Sequence, residues 1–479
     1  MEKLQLHIQK CRYNRYYLNM EPSNEIFFKR KLYDTLLSWA KSGKKEDALL
    51  IEGPRRVGKT TIVRKLAKDA YADFLYLDFK IASDDIKKMF EPSHMVDLDS
   101  FYRDLFLLCG KTPKKGSLII FDEVQYCLKA REDIKYLVAD GRYDFIQTGS
   151  LITILSNDKN IQIPSEETIL YLRPMDFQEF LWAKGQEDPL PTLKELLKEH
   201  RSIPESIHQK MMAAFREYMV VGGMPQAVEA LVCKNSYFEV ERAKKRILSL
   251  YYGDLRRYDA SHGTFCEALF KDIPTQLALE RESYRFIPSL GEADARSVKV
   301  KQSILALNDF KMTEIVYRSP DLSSFLQTGK DFSFYKFYYM DVGLLFTALS
   351  SLSEEETNLV YAKFLRGESG INLGGMMESV VCQALSSRGI QCYYHTFSYP
   401  SHAEEPSKRY EIDFVFKYRL VNILIEVKSS ARYKTSSLDA FPQRYPGIKS
   451  YRYVVGIKNY QREETKITLP VYLLPIVDF

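Results

Sequence analysis

The sequence predicts an α/β fold, and three observations predict it. Short apolar runs alternate with amphipathic stretches through residues 1 to about 185. One of those runs opens into a glycine-rich turn that leads directly into a helical pattern. Strand-like segments then return after about Gly374, behind a mostly helical middle.

In the first region the runs are Ala48–Glu52, Phe74–Asp78, Ser117–Phe121, Asp144–Thr148 and Thr168–Leu172. From Gly185 to about Leu349 apolar residues recur at helical spacing, as in Gln209–Met219 and Tyr237–Tyr251. The last region carries Gln391–Thr396, Tyr410–Lys417, Val421–Lys428 and Ser450–Gly456. The polar stretch 350–374, with Gly367, Gly370, Gly374 and the adjoining Gly375, reads as a connection. Three domains are expected: 1–185, 186–350 and 351–479.

Composition narrows the class. With 479 residues, 45% hydrophobic and 27% charged, the chain can bury several cores and is not of a disordered type. The 33 Tyr and 28 Phe indicate aromatic-rich cores, with stacking on bases as a further use. Net charge is +5, and from Ser401 to Phe479 there are 13 Lys/Arg against 9 Asp/Glu. That excess suits a phosphate-backbone partner such as DNA and suits an ordinary solvated surface equally well. The 7 cysteines are scattered and include no Cys-x-x-Cys pair, which fits neither a disulfide framework nor a zinc site. The N-terminal Met1-Glu-Lys-Leu-Gln-Leu-His has no signal-peptide run, and no stretch approaches the roughly 18 apolar residues that cross a bilayer. A cytoplasmic protein without a membrane partner is expected.

The glycine-rich turn is Gly53-Pro54-Arg55-Arg56-Val57-Gly58-Lys59-Thr60-Thr61, a full G-x-x-x-x-G-K-[ST] pattern between a strand and the helical stretch Thr61–Asp69. The glycines let successive N–H groups face phosphates at a helix N-terminus. Lys59 is expected to reach the β- and γ-phosphates and Thr60 to ligate Mg²⁺. Ser117-Leu-Ile-Ile-Phe-Asp122-Glu123 is an apolar run ending in two carboxylates. At the end of a buried parallel strand, Asp122 would assist the Mg²⁺ and Glu123 would orient or deprotonate the attacking water. A third strand ends in Thr148-Gly149-Ser150, where a helix cap is the alternative to a nucleotide contact.

These motifs, with Ile120-Phe-Asp-Glu-Val-Gln125, Pro174-Met-Asp-Phe-Gln-Glu-Phe180 and Gly222-Gly-Met-Pro225, resemble a bacterial and archaeal AAA-family ATPase group. In that group a C-terminal domain of unknown function follows the ATPase. The resemblance runs from about residue 30 to the end. It implies an AAA+-like P-loop ATPase domain with ATP as the nucleotide, then a helical region with a winged-helix-like segment. Tyr335-Lys-Phe-Tyr-Tyr-Met-Asp341-Val-Gly343 matches the family's strand and turn there. It also implies a γ-phosphate sensor, for which Thr148 comes first and Ser150 second, and a ring-like homo-oligomer with an arginine finger, to which a monomer or dimer is the alternative. Arg131, Arg142 and Arg173 are finger candidates, each also readable as a plain surface cation.

In the last region Tyr410-Glu-Ile-Asp413 is followed by Ile423-Leu-Ile-Glu426-Val-Lys428. Side chains alternate along a strand, so Glu426 and Lys428 share a face, and a short turn through Arg419 would pair the two strands antiparallel. A helix from Gly374 can bring Glu378 nearby. The ordered set Glu378, Asp413, Glu426 and Lys428 resembles the PD-(D/E)XK nuclease fold. That resemblance implies Mg²⁺ held by Asp413 and Glu426 and metal-assisted phosphodiester hydrolysis. The leading expectation is an ATPase that acts on nucleic acid and gates a nuclease-like domain. The alternative is an ATP-dependent switch or scaffold whose C-terminal domain binds a partner without cleavage.

Overall fold

The computed structural model describes residues 26–479 except 44, 113, 151–162, 187, 280–283, 285–297, 324–325, 327–330, 351, 369–372 and 401–405. The N-terminal segment read above, Cys11 and Gly370 lie outside the described residues. The chain divides into two compact units, Met1–Arg173 and Pro174–Phe479.

In the first unit, β1 (Ala48–Glu52), β2 (Phe74–Asp78), β3 (Leu118–Asp122), β4 (Asp144–Gly149) and β5 (Glu167–Tyr171) form one sheet in the order β2-β3-β4-β1-β5. Every pairing in it is parallel. Both faces are covered, which is why β1 and β3 are buried at every residue and read as unbroken apolar runs. Alternation sorts their side chains. Leu50, Ile119 and Phe121 face a cluster with Phe79, Phe90 and Phe101. Leu49, Ile51 and Ile120 face the helices Lys31–Lys41 and Lys59–Ala70. Because β4 lies between β1 and β3, the turns leaving all three open at one edge of the sheet.

The second unit is built on an eight-stranded mixed sheet. Its strands are β6 (Thr313–Arg318), β7 (Asp331–Tyr339), β8 (Tyr393–Pro400), β9 (Ser407–Tyr418), β10 (Val421–Lys428), β11 (Ser450–Gly456), β12 (Gln461–Arg462) and β13 (Ile467–Pro470). The order is β12-β13-β11-β10-β9-β8-β6-β7. The segment read as winged-helix-like supplies the helix Val298–Asp309 and the β6–β7 hairpin, and β6 pairs with β8. Strands from the middle and last regions therefore share one sheet within one unit. The β9–β10 turn is two residues long, with Arg419 and Leu420 both at positive φ, as the twist of an antiparallel hairpin requires.

Two motifs of the helical region meet each other. The buried Asp341 carboxylate accepts from the N–H of Gly223 at 2.6 Å and of Leu344 at 2.9 Å. A Cβ on Gly222, which has φ 81°, would collide with Asp341 Oδ1, and one on Gly223 would collide with the carbonyl of Met175. The Met175 N–H in turn donates to Gly223 O at 2.8 Å, just before a capping box in which Asp176 and Glu179 start the helix Phe177–Ala183. Lys244, buried against Glu241, ties the same junction by donating to Val220 O at 2.6 Å and Gly343 O at 3.2 Å. No helix among the described residues is long and apolar enough to cross a membrane.

Candidate functional site

The turn after β1 is fixed by close packing. A side chain on Gly53 would strike the carbonyl of Leu172, and Gly58 sits in the left-handed region, φ 99°, immediately before the helix Lys59–Ala70. Val57 is fully buried, Pro54 is buried, Arg55 and Thr61 are half-buried and Arg56 is exposed. Arg30 clamps the turn from outside the motif, donating to Val57 O at 3.1 Å and also to Arg173 O.

Lys59 is buried and donates to Gly53 O at 2.8 Å and Pro54 O at 2.9 Å. Burial lowers its pKa to about 8 against the pull of Glu123 and Asp122. Thr60 Oγ1 donates to Asp122 Oδ2 at 2.9 Å and lies 3.2 Å from Oδ1. Asp122, 2% exposed, also accepts from the hydroxyls of Tyr76 and Thr148. Glu123 leaves β3 with φ 53° and accepts from Gln125, while Ser150 Oγ lies 3.5 Å from its Oε2. Thr60, Asp122 and Thr148 thus meet, with Glu123 and Ser150 beside them.

The donor set fits Mg²⁺. That ion takes hard oxygen ligands and is usually held by one or two carboxylates together with substrate phosphates and waters. A threonine hydroxyl and a carboxylate 2.9 Å apart beside a phosphate-binding turn supply the protein's share of such a shell.

The C-terminal residues are arranged otherwise. Across β8 and β9 the register shifts, so that Asp413 and Phe414 both stand opposite Tyr394. Ile412, Val415 and Leu424 pack with Leu438 and Phe441 of the helix Ser436–Arg444. Alternation then turns Asp413 to the opposite side of the sheet, while Glu426, two residues from Leu424, stays on the side of that helix. Asp413 accepts from Val427 N at 2.6 Å, and burial and Glu378 push its pKa well up.

Lys336 of β7 fills the middle of this second group. Its ammonium lies 2.5 Å from Glu411 Oε1 and 3.3 Å from Glu378 Oε2, and Tyr338 OH donates to Glu378 at 2.8 Å. Burial pulls Lys336 down, but Glu378, Glu411 and Asp413 together hold its pKa above the usual value. Glu426 forms a separate pair with Lys428 at 2.6 Å. The four residues expected as one catalytic set, with Asp413 and Glu426 as its metal ligands, therefore divide into Glu378 with Asp413 and Glu426 with Lys428. No group of three or more His, Cys, Asp or Glu among the described residues is placed to hold a metal on its own.

Two finger candidates are also committed elsewhere. Arg131 is buried and bidentate on Glu167, at 2.7 and 3.1 Å. Arg142 is held by Asp140 at 2.7 Å and by Asp99. Sequence reasoning missed Arg30, Tyr76, Gln125 and Lys336. Only Gln125, two residues beyond the carboxylate pair, had a positional signal.

A parallel sheet with a phosphate-binding turn after β1 and a carboxylate pair at the end of β3 defines the first unit as a P-loop domain. Residues 45–181 match the family described as AAA domain, so the N-terminal part of the chain contains an AAA-family ATPase domain. Residues 212–356 and 373–474 match two domains of unknown function, DUF8612 and DUF4143. A stretch of 136 residues is 30% identical to the replication factor C large subunit of Sulfurisphaera tokodaii, covering 27% of this chain and 28% of that protein. The chain thus spans under a third of the length of that curated relative. Among solved structures, one described as the structural basis for katanin self-assembly aligns with TM-score 0.21 and 16% identity over 35% of this chain and 58% of that one. C. elegans PCH-2 aligns with TM-score 0.23 and 14% identity over 46% and 70%.

Proposed function

We propose that this chain is a Mg²⁺-dependent ATPase that works as a nucleotide-controlled switch, its C-terminal region engaging a partner without cleaving it. The observation that carries the ATPase reading is the meeting of Thr60 and Asp122 at 2.9 Å beside the buried Lys59. Lys59 exchanges two backbone carbonyls for the β- and γ-phosphates when ATP enters. Thr60 and Asp122 hold Mg²⁺, which when bound draws charge from the phosphates. Glu123 orients the attacking water and takes its proton, and Gln125 holds that carboxylate in place. Thr148, whose hydroxyl lies against Asp122, turns to the γ-phosphate as ATP enters and senses it.

The division of the C-terminal carboxylates supports binding without cleavage. The Lys336 ammonium already pairs with Glu378 and Glu411, and one oxygen of Glu426 is held by Lys428. Nucleic acid is the favoured partner class, supported by the basic balance after Ser401 and by the 136-residue likeness to a replication factor subunit. One observation favours a gated nuclease instead. Asp413 on β9 and Glu426 and Lys428 on its antiparallel neighbour β10 stand in the chain order on which the PD-(D/E)XK resemblance rests.

Phosphate release from Mg-ATP, measured with and without DNA, tests the first reading, and its absence under both conditions sinks it. Cleavage of DNA in Mg²⁺ or Mn²⁺ by the wild type, lost in both Asp413→Ala and Glu426→Ala, would replace it with the nuclease reading.

A further inference from the structure

Asp122 is held by three hydroxyls from three elements: Thr60 from the helix after the phosphate-binding turn, Thr148 from β4 and Tyr76 from β2. Two of the three have other work when nucleotide binds. Thr60 turns to the metal and Thr148 to the γ-phosphate under the reading above, so their hold on Asp122 is released as the site fills. Tyr76 has no such second task. Its strand neighbours β3 directly, with Asp78 opposite Asp122, and its hydroxyl reaches the same carboxylate oxygen that Thr60 uses.

The ring is fixed as well as the hydroxyl. Arg64, one turn along from Thr60, places its guanidinium 4.3 Å from the Tyr76 ring centroid. The ring is also half-buried against the apolar cluster to which Ile62, Leu66 and Ile120 belong.

We infer that Tyr76 is a positioning residue for Asp122, holding that carboxylate in its metal-facing arrangement while Thr60 and Thr148 change partners. The inference rests on the nucleotide reading of the site and names a residue that no motif contains. It acts through Asp122, so it affects how Mg²⁺ strengthens nucleotide binding and leaves the metal-free interaction with Lys59 and the turn alone.

Tyr76→Phe isolates the hydroxyl, because it keeps the ring and its contact with Arg64. A fluorescent ATP analogue is titrated into wild type and variant, once with Mg²⁺ and once with EDTA. The expected result is an unchanged Kd in EDTA and a loss of roughly tenfold in the tightening that Mg²⁺ confers, the size of one lost hydrogen bond to a charged group. Arg64→Met, which frees the ring but leaves the hydroxyl, shifts the same ratio in the same direction by less. It also carries the test should Tyr76→Phe fail to melt cooperatively. Equal Mg²⁺ tightening in wild type and variants overturns the inference, as does a loss of equal size in both buffers, which marks a structural role. Failure of the wild type to bind in either buffer is a separate outcome and removes the nucleotide reading itself.

Discussion

Arg131 Nη2 lies 2.7 Å from Glu167 Oε1, and the two side chains are 2% and 0% exposed. Gln147 donates to the same carboxylate at 2.8 Å, which joins the edge strand β5 to the body of the sheet. Removing one partner of a buried pair leaves an uncompensated charge and costs about 3–5 kcal/mol. Arg131→Met is therefore expected to lower stability by that order in chemical denaturation, while ATP turnover per folded molecule holds. A stable variant with turnover abolished would show that Arg131 acts at a nucleotide instead.

Gly222 makes a second prediction about architecture. Its φ of 81° and the carboxylate of Asp341 beside it leave no room for a side chain. Gly222→Ala is expected to destabilise the second unit by more than about 2 kcal/mol, combining backbone strain with displacement of a buried hydrogen-bonded acid. Circular-dichroism melts check it. A melting temperature equal to wild type would mean that the Gly222–Pro225 motif is free to move and not the locked junction described here.

Asp133 gives the pH dependence a sign. One of its oxygens is buried with no hydrogen-bond partner among the described residues, and burial raises its pKa to about 6. Between the ordinary value of 3.8 and about 6 the folded state keeps a proton that the unfolded state has lost. Stability from this group is thus full below the unfolded pKa and declines as pH rises through 6. Asp133→Asn is expected to gain on wild type by roughly 1 kcal/mol at pH 8 and by nothing at pH 3.5, a figure reduced for partial solvent screening. A difference that does not change with pH contradicts the assignment.

The sequence showed the first unit clearly because its physics is local and continuous. Buried parallel strands read as unbroken apolar runs, so β1 and β2 fall on the expected residues and β3, β4 and β5 within one. Gly53, Asp122 and Glu123 were legible because they stand at the ends of such runs, and Lys59 and Thr60 because they close the glycine-rich pattern that follows β1. The C-terminal set was not. A count of two carried back from Val415 would put Asp413 on the side of the helix Ser436–Arg444, and the register shift takes it to the other side. Nor does any local pattern mark Lys336, since it meets Glu378 and Glu411 across 42 and 75 residues of chain. Tyr76 read as one more core aromatic because its hydroxyl partner lies 46 residues away on a neighbouring strand.

The central claim is that the carboxylate following β3 activates water at a Mg²⁺-nucleotide site. ATP binding and ATP hydrolysis measured side by side for wild type and Glu123→Gln test it most directly, with Lys59→Ala as the variant that loses binding. The account predicts that Glu123→Gln binds ATP within about threefold of wild type and hydrolyses it at least roughly 100-fold more slowly. Hydrolysis by Glu123→Gln at the wild-type rate would contradict it.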